Sequence, residues 1–110
     1  MNDANYPWLI LVPQRPGLRE IFELNTDEQT QLIHESSHVA RLMHAHFQAD
    51  KINIAALGNM VPQLHIHHIA RYKADLAWPA PVWGRVPAAP YSIEQLKTLI
   101  KVLREAITEL

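Results

Sequence analysis

Residues 63 to 68 read Gln-Leu-His-Ile-His-His, so amide and imidazole side chains alternate with aliphatic ones. In an extended strand successive side chains point to opposite faces, which puts Gln63, His65 and His67 on one face and Leu64, Ile66 and His68 on the other. Imidazoles two residues apart sit about 7 Å from each other at the backbone, close enough to reach a single phosphate group. A neutral imidazole titrates near pH ~6.5 and can attack phosphorus at neutral pH, while a protonated neighbour can stabilise charge or give a proton to the leaving group. Arg71 closes the same run, where a guanidinium could meet an anion. On spacing alone two readings stay open: a phosphoryl site, or a strand with one histidine in the sheet and the others in solvent.

A competing motif lies at His34-Glu35-Ser36-Ser37-His38, a literal H-E-x-x-H, with His44 beyond it. His34 and His38 share a helix face, and the carboxylate between them has the chemistry of a base toward a zinc-bound water. Arg41 stands where the zinc-protease pattern with a third histidine has a chain-turning Gly, and it favours a continuing helix. At about 100° per residue His44 then lies roughly 80° around from His34 and does not converge on the same metal. The pair also lies nearly opposite the apolar stripe, which predicts solvent-exposed histidines, with a zinc peptidase as the lesser alternative. His46 is expected at the edge of the core face. Trp78 and Trp83 could stack a base but are expected to seal a core, and Arg15, Lys73 and Arg85 read as solvated cations.

The elements that must position the histidine strand are legible around it. Trp8 to Val12 is an apolar run bounded by Pro7 and Pro13, a buried strand too short to be a helix. From Thr26, read as a cap before acidic Asp27 and Glu28, a long amphipathic helix follows, with Leu32, Val39, Ala40, Met43 and Phe47 in one stripe. Ile52 to Leu57 and Val61 to Ala70 are two more strands, joined as a hairpin through Gly58 and Asn59. Residues 74 to 91 hold several prolines and both later tryptophans and predict an irregular, aromatic-packed segment. Ser92 and Gln95 form a capping box opening a helix over 93–108, with Leu96, Leu99, Ile100, Leu103 and Ile107 on one face that completes the core or joins a dimer interface. The predicted class is α+β: an antiparallel sheet, the long helix packed on one face, and a C-terminal helix.

A chain of 110 residues makes one domain, burying roughly two-thirds of its unfolded surface. With 10 Lys plus Arg against 11 Asp plus Glu, no basic excess exists to bind a nucleic-acid polymer or an anionic membrane. No Cys is present for a disulfide or thiolate metal site, and neither a secretory signal pattern nor a membrane-length apolar run occurs, so the expected location is the cytoplasm.

Gln63-Leu64-His65-Ile66-His67-His68-Ile69-Ala70-Arg71 resembles the signature of the histidine triad family, His-φ-His-φ-His-φ-φ with φ apolar. The upstream LILVPQRPGLREIFELNTDEQ is similar to that family's strand, Pro, basic turn and loop into the long helix, particularly in its diadenosine-polyphosphate hydrolase branch. The resemblance spans residues 2 to 73 and implies a histidine-triad domain over 1–110, shortened at its N-terminal region, that forms a homodimer. It implies hydrolysis or nucleotidyl transfer at the α-phosphorus of a dinucleoside polyphosphate or nucleoside phosphoramidate. By resemblance His65 is the nucleophile that forms a nucleotidyl-imidazole, and His67 contacts the phosphate and supports the leaving group. Gln63, Asn59, Asn2 and Arg71 are the expected nucleotide and phosphate contacts. No cofactor is required, although magnesium can accompany a polyphosphate. Gln63 replaces the first triad histidine, cannot carry a proton at neutral pH, and keeps the main-chain carbonyl that orients the nucleophile in related branches. His68 stands at a normally apolar position, and VPQR ends the first strand where many members have a further His. A nucleotide-binding regulatory domain with weak turnover is the alternative.

Overall fold

Pro7 and Pro13 bracket strand β1, Trp8–Leu11, where the missing proline N–H groups limit pairing to the residues between them. The computed structural model describes residues 1–108, and β1 is followed by a short 3₁₀ turn, Ile21–Glu23, and by helix α1, Thr26–Phe47. Asn25 rather than Thr26 caps α1: its side chain accepts the Glu28 N–H at 2.9 Å, and the Glu28 carboxylate accepts the Asn25 N–H at 3.0 Å. The reciprocal bonds need a three-residue separation, which Asn25 and Glu28 have.

Strands β2, Lys51–Ala55, and β3, Ile66–Arg71, follow α1, and the sheet is antiparallel in the order β1-β3-β2. Both strands are shorter than their apolar runs suggest. The connection over 56–65 is a long loop rather than a tight turn at Gly58, because Pro62 offers no ladder donor and the Leu64 N–H pairs at 2.7 Å with the Leu18 carbonyl outside the sheet. Gly58, at φ +73°, sits in that loop in a conformation that other residues seldom adopt.

Register decides what each face buries. Trp8 opposes Ile69 and Ile10 opposes His67 across one ladder, while Asn53 opposes Ile69 and Ala55 opposes His67 across the other. The opposite face carries Leu9, Leu11, Ile52, Ile66 and Ala70, and it packs under α1 through Leu32, Val39 and Met43. Each fully buried side chain of this kind, such as Met43 or Ile69, contributes roughly 1.5–3 kcal/mol. The irregular, Pro-rich segment 72–91 covers the other face: Ala77 and Val82 pack there against Tyr6, Trp8 and Ile69. The architecture is α+β with an antiparallel sheet, as the sequence predicts.

Helix α2, Ile93–Thr108, starts at the expected box, with the Gln95 N–H bonded to the Ser92 hydroxyl at 3.1 Å and the Ser92 N–H to the Gln95 amide oxygen at 3.2 Å. It does not complete the core. Leu103 is buried, Leu96 and Leu99 are half-buried, and Ile100 and Ile107 remain exposed, because α2 approaches only α1 closely and leaves a cavity of about 530 Å³ between Phe47, Leu99 and Val102. Among the described residues no helix is long and apolar enough to cross a membrane.

Candidate active site

His65 and His67 lie on the sheet face covered by the Pro-rich segment, with ring centroids 5.0 Å apart. His65 precedes β3 and is half-buried; His67 is within the strand and 7% exposed. The hydrogen-bond partners of each ring fix where its proton sits. The His65 Nδ1 is 2.7 Å from the Gln63 main-chain carbonyl, which can only accept, so Nδ1 carries the proton and the Nε2 lone pair is free. The His67 Nδ1 is 3.0 Å from the Trp8 indole Nε1–H, which can only donate, so Nδ1 accepts and a neutral His67 carries its proton on Nε2. Neither Nε2 has a protein partner among the described residues. The two neighbouring rings therefore offer one free lone pair and one free N–H donor, the chemistry of a nucleophile and of a group that can hold an oxygen.

His67 is held edge-on by two indoles, Trp8 at 5.6 Å and Trp83 at 5.2 Å between centroids. Burial among them lowers its pKa, and a positive charge on His65, on His68 or at the N-terminus acts in the same direction. Trp83 thus seals the imidazole within its core cover, as expected of that segment, while its ring stays 37% exposed. Trp78 lies elsewhere, beside the Arg71 guanidinium at 5.7 Å.

His68 faces α1 and is fully buried. Its Nδ1–H donates to the Ile66 carbonyl at 3.1 Å, and its Nε2 accepts the Ser36 hydroxyl at 2.7 Å. Burial lowers its pKa against that backbone bond, which favours the charged ring. The pair gives two polar groups their partners inside an apolar layer. Both were visible as polar residues at apolar positions: Ser36 falls in the α1 stripe between Leu32 and Val39, and His68 falls on the aliphatic face of β3. Ser36 belongs to the H-E-x-x-H motif, whose His34 and Glu35 are exposed and whose His38 is half-buried. Among the described residues no three His, Cys, Asp or Glu side chains gather as a metal site. His46 lies exposed, edge-on to Phe47.

The other expected contacts hold main-chain partners of their own or face solvent. The Gln63 amide donates to the Arg15 carbonyl at 3.2 Å, tying the approach to β3 to the loop after β1, where Val12 to Pro16 line a groove of about 310 Å³ beside it. Arg15 itself pairs with Glu28 at 2.6 Å. Asn59 is exposed on the 56–65 loop, and the Asn2 side chain accepts the Tyr91 N–H at 2.9 Å, joining the N-terminal segment to the start of α2.

Arg71 is a correction. It lies four residues beyond His67, about 13 Å along the strand, and is 2% exposed. Its guanidinium binds both Asp75 oxygens at 2.8 and 3.0 Å, the Asn53 side chain at 2.8 Å and the Ala80 carbonyl at 2.8 Å. A cation enclosed and neutralised in this way holds the Pro-rich segment on the sheet and is not directed at a substrate anion.

The HIT domain family matches residues 1–74. A histidine triad protein from Marinobacter aquaeolei VT8 has a similar structure, with a TM-score of 0.95 at 51% identity over 100% of this chain and 80% of that one. One from Bradyrhizobium japonicum gives 0.92 at 48% identity, covering 97% of this chain and 80% of that one. A third, from Sinorhizobium meliloti 1021, gives 0.91 at 47% identity, covering 96% and 78% respectively. No curated protein matches the chain.

Proposed function

Because the chain belongs to the HIT domain family, whose members are generally nucleotide hydrolases or transferases, we propose that it cleaves a dinucleoside polyphosphate or nucleoside phosphoramidate at the α-phosphorus through His65. One observation carries this reading: the Gln63 carbonyl fixes the His65 proton on Nδ1 and leaves the Nε2 lone pair free, on a ring whose centroid is 5.0 Å from that of His67. The His65 Nε2 attacks the α-phosphorus, the leaving group departs with its electron pair, and water then displaces the nucleotidyl group from the imidazole. His67 holds a non-bridging oxygen, and that hydrogen bond strengthens as charge develops. Gln63 serves chiefly through its main chain, and the groove over residues 12–16 offers room for the distal part of a substrate. Asn59 and Asn2, both exposed, remain the proposed nucleotide contacts. No cofactor enters the scheme, and magnesium would arrive bound to a polyphosphate substrate.

Incubation with diadenosine tetraphosphate and with an AMP phosphoramidate tests the proposal, and AMP release from at least one is expected. Tight nucleotide binding without product would favour the regulatory alternative. Peptide cleavage abolished by chelator and restored by zinc would move the chemistry to α1.

The homodimer in this reading uses the outer side of β2. That strand ends the sheet, Ile54 and Leu57 are exposed at 52% and 49%, and Ile21 and Ile33 flank an apolar groove of about 440 Å³ beside Ile54. An unpaired edge next to an apolar patch is a surface for association. Sedimentation should give a dimer for the wild type and a monomer for Ile54→Lys. A monomeric wild type would contradict this assignment.

A further inference from the structure

The reading above leaves open which histidine supplies a proton to the leaving group, and the strand β1 tryptophan bears on that question. We infer that Trp8 is a positioning residue: its indole N–H locks His67 as the neutral Nε2–H tautomer, making His67 a fixed hydrogen-bond donor to the phosphate rather than a proton-delivering acid.

An indole nitrogen has a hydrogen to give and no lone pair to receive one, so a 3.0 Å contact to Nδ1 is a hydrogen bond only while Nδ1 is unprotonated. Protonating His67 would set two N–H groups against each other inside a buried contact between residues 7% exposed, and the Trp8 donor would lose its acceptor. Trp8 has little freedom to withdraw. Its ring packs edge-on to Trp83 at 5.5 Å and belongs to the cluster with Tyr6, Ile69, Ala77 and Val82. The titratable and charged groups acting on His67 are His65 and His68 from its own chain segment and the Met1 ammonium, which donates to the Trp8 carbonyl at 3.0 Å. A positive charge on any of the three disfavours one on His67, and no carboxylate appears among the groups that shift its titration. β2 contributes Ala55 opposite His67, and the Pro-rich cover contributes Trp83; neither can take up a proton.

The consequence for the reaction rests on the proposed function. No proton passes from His67 to the departing group. A leaving group stable as an anion, such as the phosphate end of a polyphosphate, leaves without assistance. An amine must obtain its proton from solvent. Polyphosphate substrates should therefore turn over faster than phosphoramidates, and the advantage should shrink when the lock is removed.

Imidazole ¹⁵N spectra of the full chain test the lock without any substrate. In the wild type His67 is expected with its proton on Nε2 throughout the neutral range. In Trp8→Phe, which keeps a packed ring and deletes the donor, the Nδ1–H tautomer should become populated and the His67 titration should move up by about one pH unit. The same variant should then cleave phosphoramidates relatively better below neutral pH. A wild-type His67 protonated at Nδ1 would overturn the inference, as would a folded Trp8→Phe with unchanged tautomer and titration. Should the variant fail to fold, the wild-type tautomer decides. Because the spectra need no turnover, a protein that hydrolyses no nucleotide would sink the proposed function and leave the lock standing.

Discussion

His65→Ala is expected to lower kcat by on the order of 10⁴-fold or more while nucleotide binding and the fold persist, as removal of a nucleophile does elsewhere. His65 is half-buried in a segment outside the sheet ladder, so losing its ring leaves the buried layers intact. The contrast that gives this result meaning is Gln63→Ala. Gln63 orients the nucleophile through its carbonyl, which alanine retains, and its side chain contributes one bond to the Arg15 carbonyl. That substitution should therefore cost no more than about tenfold. Steady-state kinetics on the two variants, with circular dichroism to verify folding, measure both. Equal losses would mean that the Gln63 side chain works on the substrate directly.

Asp75→Asn is expected to destabilise the fold by about 3–5 kcal/mol, a large part of the ~5–15 kcal/mol that holds a domain together. The Arg71 and Asp75 side chains are 2% and 3% exposed, and removing one charge leaves the other buried without compensation. The Arg71 guanidinium, joined by the N–H groups of Tyr72, Trp78 and Ala77, holds the Asp75 carboxyl well below the usual carboxylate range. A depressed carboxylate binds its proton more readily in the unfolded chain, so its stabilisation is present above about pH 4 and lost as pH falls below that. His67 and His68, both depressed by burial, act with the same sign from about pH 6.5 downward. Urea denaturation across this range should show two falling stages in the wild type. In Asp75→Asn the lower stage should flatten. A variant within 1 kcal/mol of wild type would show that the enclosed pair contributes little.

What the sequence revealed and what it withheld follow the range of the interactions. The limits of β1 and the start of α2 were legible because Pro7, Pro13 and the Ser92–Gln95 box act on their own neighbours. The alternation that places His65 and His67 together is equally local. The cap of α1 was locally encoded as well, in the Asn25-to-Glu28 spacing, though Thr26 has similar cap chemistry. Arg71 looked like an anion contact because its captors, Asn53 and the Ala80 carbonyl, come from other segments, even though Asp75 stood only four residues away. The Trp8 bond to His67 spans 59 residues and the Ser36 bond to His68 spans 32, so local patterns mark Ser36 and His68 as polar residues at apolar positions but pair neither histidine with its partner. The proton positions of all three histidines came only from these partners and the carbonyls two residues back.

The stereochemical course at phosphorus tests the covalent role of His65 most directly. With a substrate made chiral by isotopes at the α-phosphorus, attack by His65 followed by attack of water gives two in-line inversions, and retention of configuration is the predicted result. Inversion would mean that water strikes the phosphorus directly, with no bond to His65, and would contradict the account.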